Sequence, residues 1–184
     1  MKRTCIILIA IVLTLVIAGI WFFYKNDIKE YYQTKDLIHW QNSNLITSND
    51  FEASVNKSSK LKIYWWHGLI LESDKRKVRT AKAYAIFDKS KSWIKDTSNY
   101  EFSDKMRKLN FDLYEAYARV FNDSIDKLRF DEYTTYEDLE LIGDELYEEL
   151  KSHQKIIYDS YTDNEERYTK WRPIIDSLLL YRTK

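Results

Sequence analysis

Residues 62–73, KIYWWHGLILES, set two tryptophans, a histidine and a glycine inside an uncharged run from Ile63 to Leu71. On a helix, Leu61, Tyr64, Trp65, Gly68 and Leu69 fall at i, i+3, i+4, i+7 and i+8, one apolar stripe, with Ile63, Trp66 and Ile70 in a second stripe beside it. The segment LKIYWW could also alternate as a strand. The helical pattern continues, less cleanly, through Val78, Ala81 and Ala85, so a helix over 60–95 is the preferred reading. A run this short cannot cross a bilayer.

Working outward, residues 99–130 carry the clearest helical signal. Phe102, Met106, Leu109, Leu113, Ala116, Tyr117 and Val120 trace one face, and Ser98-x-x-Glu101 has the form of a capping box at its start. Thr135-x-x-Asp138 opens another helix, whose period runs through Leu139, Ile142, Leu146, Leu150, His153 and Ile157. A last helix restarts after Thr162-Asp163-Asn164, and Pro173 is expected to kink or split it, because proline removes an amide and clashes with the preceding turn. Three glycines and one proline in 184 residues also argue against a turn-rich β fold. The fold class expected is therefore all-α, an antiparallel bundle of about four to five helices over 60–184.

Upstream, residues 1–4 form a short basic tail with Lys2 and Arg3, and residues 5–24 follow without a charge. A helix of that length matches the roughly 30 Å hydrocarbon thickness of a bilayer. Trp21, Phe22, Phe23 and Tyr24 close it like an interfacial aromatic belt, with Lys25 next. The segment reads as a single transmembrane helix, a signal anchor. The body is expected outside the cytoplasm, because a short basic tail before a long apolar run behaves that way. Residues 25–59 read as a juxtamembrane helix followed by an Asn- and Ser-rich polar linker.

Candidate chemistry is sparse. Lys and Arg total 29 and Asp and Glu total 29, so no net charge draws the protein to nucleic acid. The one cysteine, Cys5, lies in the apolar segment, which excludes a Cys-ligated zinc site or cysteine nucleophile in the body. No Gly-rich phosphate loop, G-x-S-x-G elbow or H-E-x-x-H motif occurs. His67 has no local partner to orient it, and the nearest carboxylate, Glu72, is five residues on. It reads as packing, with Trp65 and Trp66 as candidate binding anchors. Glu149 and His153 stand at i, i+4, but the Glu-x-x-His pairs of a bundle metal centre are missing, so neither a metal nor a cofactor is expected.

Charge is segregated along the chain. Residues 74–82 hold five bases, and residues 131–150 hold nine acids and no base. The simpler reading packs the two segments side by side. The functional alternative is a docking surface of one sign, centred on Glu145, Glu148 and Glu149. These features together predict a membrane-anchored, non-enzymatic protein that binds another protein: an inhibitor, an immunity or exclusion factor, or an accessory subunit of an envelope complex. The alternative is an anchored enzyme acting on lipid or cell-wall material.

Overall fold

A computed structural model describes residues 13, 14, 16, 21, 24, 25, 31, 32, 34–98, 100–159 and 164–181. The chain divides into two compact units, residues 1–36 and 37–184. In the first, the described residues among 13–34 are helical. No helix among the described residues is long and apolar enough to cross a membrane. That corrects the single-pass localisation and the transmembrane helix expected from residues 5–24. An apolar run only nominates a span, and crossing needs an unbroken helix of about 20 residues. Of that segment, Leu13, Thr14, Val16, Trp21 and Tyr24 are described, and the rest lies outside the described residues.

The second unit is mixed α/β, which overturns the all-α bundle. Its strands are β1 (Leu37–His39), β2 (Ile63–Tyr64), β3 (His67–Glu72), β4 (Lys82–Asp88) and β5 (Trp93–Ile94). Three long helices follow: α1 (Tyr100–Leu128), α2 (Tyr136–Asp159) and α3 (Asn164–Tyr181). The first sheet has the antiparallel order β1-β4-β3, and β2 pairs with β5 in a second. The stretch 62–73 is thus two strands joined at Trp65-Trp66. The helical stripe misleads there because a short apolar run fits either period. β4 alternates at its start, where Ala83 and Ala85 are buried and Lys82 is exposed, and is buried throughout from Ala85 to Asp88.

Residues 37–59, read as juxtamembrane helix and linker, supply β1, two short 3-10 turns and the buried Ile46. In one of those turns Thr47 and Asp50 cap each other reciprocally.

Helix α1 packs on β4 and against both other helices. Phe87, Leu109, Phe111, Leu113, Tyr114, Leu150, Ile157 and Ile175 form the main core. β1 covers β4 only from Ile86 to Asp88. Beyond it, the side-chain amide of Asn122 replaces the missing strand: Oδ1 accepts from the Ala83 amide at 2.8 Å, and Nδ2 donates to the Ala83 carbonyl at 2.9 Å. Ala83 is buried, so without Asn122 both backbone groups would lie unpaired at considerable cost. Asp112 performs a similar tie, accepting from Trp40 Nε1 and Arg172 Nη1, each at 2.6 Å, and so linking α1 to the turn after β1 and to α3.

The helix ends differ from expectation in one instructive place. Thr135 and Asp138 do cap α2 reciprocally. At α1, however, the Ser98 hydroxyl turns back to Asp96. The Ser98 amide, Lys62 and the Ser98 hydroxyl, bonded to the Asp96 carboxylate, hold its pKa at about 2. α3 runs through Pro173 as one helix, so the expected split does not occur.

Candidate functional site

A cleft of about 490 Å³ opens between the β2–β3 segment and all three helices. That is within the usual range for small-ligand sites, about 300–1,000 Å³. Trp65 and Trp66, the two residues between the strands, line it together with Ile63, Tyr64 and His67. α1 contributes Ser103, Met106, Asn110 and Tyr114 at i, i+3, i+7 and i+11, one face of the helix. α2 adds Lys151, Gln154 and Tyr158 at i, i+3 and i+7, and α3 adds Arg167. Among the described residues that line the cleft none is an acid, while two are cations.

A directed chain of hydrogen bonds crosses its wall. Lys151 Nζ can only donate, and it donates to the Tyr114 hydroxyl at 3.0 Å and to Gln154 Oε1 at 3.2 Å. That fixes the Gln154 amide, whose Nε2 donates to Asn110 Oδ1 at 2.7 Å. The Asn110 amide is fixed in turn, so its Nδ2 donates to His67 Nδ1 at 2.8 Å. A neutral imidazole that accepts at Nδ1 carries its proton on Nε2. The series therefore ends in a donor, His67 Nε2–H, which is buried and has no acceptor among the described residues. Each link polarises the next, which strengthens the terminal donor.

Electrostatics agree with this direction. Burial, then the nearby Arg107 and Lys151 charges, hold the His67 pKa well below its usual value. The ring stacks on Phe111 with centroids 4.6 Å apart, within a dry aromatic group. Burial lowers the Lys151 pKa, but hydrogen bonds and attraction from Tyr114 and Tyr147 outweigh it, and the net direction is up. Lys151 is a full cation with no carboxylate bridge among the described residues. Arg167 is buried, donates Nη2 to the Tyr158 carbonyl at 3.0 Å and lies over the Tyr158 ring.

Because His67 is a base with a lowered folded pKa, its contribution is complete above the unfolded value of about 6.5 and lost as pH falls below it. Unfolding free energy is expected to drop by up to about 1.4 kcal/mol per pH unit below that value, until the folded pKa is reached. Urea midpoints taken near neutrality and a unit or two lower would show it. His67→Gln should flatten the slope, and an equal slope in both proteins would refute the assignment.

The remaining sequence candidates are dispersed. Trp66 lies over Gly68, where a Cβ would come within 2.5 Å of its ring, so glycine is required for the indole to settle there. Lys91 Nζ sits 4.0 Å from the Trp66 ring centre. Trp65 lines the cleft and packs against the core. Glu145 and Glu148 are exposed and line neither this cleft nor the smaller one described below. Glu149 accepts from the Tyr117 hydroxyl, which also meets His153 Nδ1 at 2.6 Å. Of the basic segment, Arg76 reaches across to α2, bonding Glu137 and Glu140. It does so from a left-handed backbone (φ 56°), with its guanidinium carbon 4.9 Å from the centre of the Tyr136 ring.

Sequence reasoning missed Asn110, Lys151, Gln154 and Arg167. Their spacing along α1 and α2 is ordinary for polar positions, and they become a site only when the helices meet β2 and β3. Among the described residues no group of three or more His, Cys, Asp or Glu side chains could hold a metal. Compared with protein-family models, curated proteins and solved structures, the chain matches none.

Proposed function

We propose that this chain is a binding protein, not an enzyme, and that its cleft takes a ligand with an anionic head on an apolar body. The observation that carries the reading is the directed series Lys151–Gln154–Asn110–His67, which ends in an unpaired buried donor on a residue that lines a cleft without acids. Two cations and a buried donor in a lining without acids favour an anion, and the Trp and Tyr walls favour an apolar body.

An acid–base mechanism has less support. His67 is held neutral, its Nδ1 is occupied, and Nε2 is not hydrogen-bonded to the Ser103 hydroxyl, so no activated nucleophile is assembled.

Calorimetry of the full chain with phenylacetate and with neutral phenylacetamide tests the proposal. The carboxylate is expected to bind at least about tenfold more tightly. Lys151→Met should erase that preference and Lys151→Arg should keep much of it. Equal binding of acid and amide, or a preference unchanged by Lys151→Met, would overturn the reading.

A further inference from the structure

A second cavity, of about 310 Å³, lies on the other side of Trp66. Four consecutive residues of β3, Gly68 to Leu71, line it. A sheet face would present only every second residue, so a consecutive run marks the strand's edge. β3 is indeed the end strand of its sheet among the described residues. The Asp88 amide donates to the Trp66 carbonyl, which makes 66/88 a hydrogen-bonded pair. By alternation, residues 68, 70 and 72 bond to β4, and residues 67, 69 and 71 turn their backbone groups outward. The Leu71 carbonyl confirms that sense, accepting from the Tyr136 hydroxyl at 3.2 Å. Among the described residues the amide and carbonyl of Leu69 face the cavity side without a strand partner.

The opposite wall is one face of α2: Glu140, Gly143, Asp144 and Tyr147, at i, i+3, i+4 and i+7. Gly143 keeps this wall low, since a Cβ there would fall 2.8 Å from the Phe121 ring that forms the floor. Glu140 is shared with Arg76, and Asp144 is exposed with no ion pair among the described residues. The helix that carries these acids has no base in its first three turns, from Tyr136 to Leu146.

We propose that this groove docks an extended, basic segment of another protein, which adds a strand to β3 through Leu69 and sets a lysine or arginine against Asp144 and Glu140. An open strand edge supplies main-chain bonds to an incoming chain, and the acidic wall supplies the choice of sign. The groove shares Trp66 with the first cleft, but Leu69, Glu140 and Asp144 line the groove alone, so the two proposals are tested by different residues.

The test uses full-length protein and two fluorescent eight-residue peptides, one alternating Val and Lys and the other alternating Val and Glu. Anisotropy should show the Val/Lys peptide binding at least about tenfold more tightly, and hydrogen exchange at the Leu69 amide should slow in its presence. Asp144→Lys should weaken that peptide about tenfold or more. Leu69→Pro removes an outward amide that β4 does not use, and Leu69→Ala, which gives up the same core packing but keeps the amide, is its control: the peptide should be lost in the proline variant and retained in the alanine one. Failure of the Val/Lys peptide to bind at millimolar concentration, equal binding of both peptides, or affinity unchanged by Asp144→Lys would overturn the proposal.

Discussion

Replacing Asp104 with alanine is expected to cost about 3–5 kcal/mol of unfolding free energy, because it strands a buried cation. The Arg107 side chain is 1% exposed. Its Nε donates to Asp104 Oδ1 at 2.8 Å, and Nη2 stands 2.7 Å from the same oxygen. Nη1 finds no acceptor among the described residues, so Asp104 is the carboxylate on which the guanidinium depends. The reverse change should be milder. Arg107→Met keeps the apolar stem beside Phe87 and leaves Asp104 partly exposed and bridged to Lys108 at 2.9 Å. Urea unfolding of the two variants beside the parent measures the asymmetry. If Arg107→Met costs as much as Asp104→Ala, packing of the stem, not charge compensation, dominates.

Phe111→Ala should be comparably damaging, at about 3–5 kcal/mol, through lost burial and the cavity left behind. Phe111 is fully buried on α1, and its ring lies nearly parallel to His67. Its removal carries a second expected signature. Water entering the space would solvate the imidazole and relieve the burial that depresses the His67 pKa, so the remaining stability should depend less on pH below about 6.5. Urea midpoints at two pH values separate these effects. A large stability loss with an undiminished pH slope would show that the aromatic stack does not keep His67 dry.

Against a total stability of about 5–15 kcal/mol for ordinary domains, either change consumes a large share of what holds the fold. Both residues lie on the same helix as Asn110 and Tyr114, which line the first cleft, so that wall of the cleft is carried by a deeply buried helix.

The three helices were legible because each is long and half-wetted. Over Tyr100–Leu128 and Tyr136–Asp159 the 3.6-residue period repeats through several turns, and the expected starts fall within a residue or two of the observed ones. Thr135 and Asp138 could be read as a cap because both partners lie within one turn. The strands offered no such redundancy. β3 has six residues and its neighbours on β4 lie 10 to 20 positions downstream in the chain, so its periodicity is too short to outvote a helical stripe. Gly68 was the overlooked hint: a glycine inside an apolar run marks close approach, here of the Trp66 ring. From Ala81 into β4, the small apolar residues at Ala81, Ala83 and Ala85, alternating with Lys82 and Tyr84, were the other.

Local chemistry written along the chain thus determined the three long helices and the separation of basic from acidic segments, whereas the scarcity of Gly and Pro misled, since five strands and five short 3-10 turns form among residues 37–94. Tertiary structure alone decided that residues 62–73 are strands, that His67 is a buried neutral donor, and that Lys151, Gln154 and Asn110 act on it in series. The physical reason is range. Helical hydrogen bonds close within four residues, whereas a strand's partner and a cleft's opposite wall lie tens of residues away, and nothing local encodes which distant groups will meet.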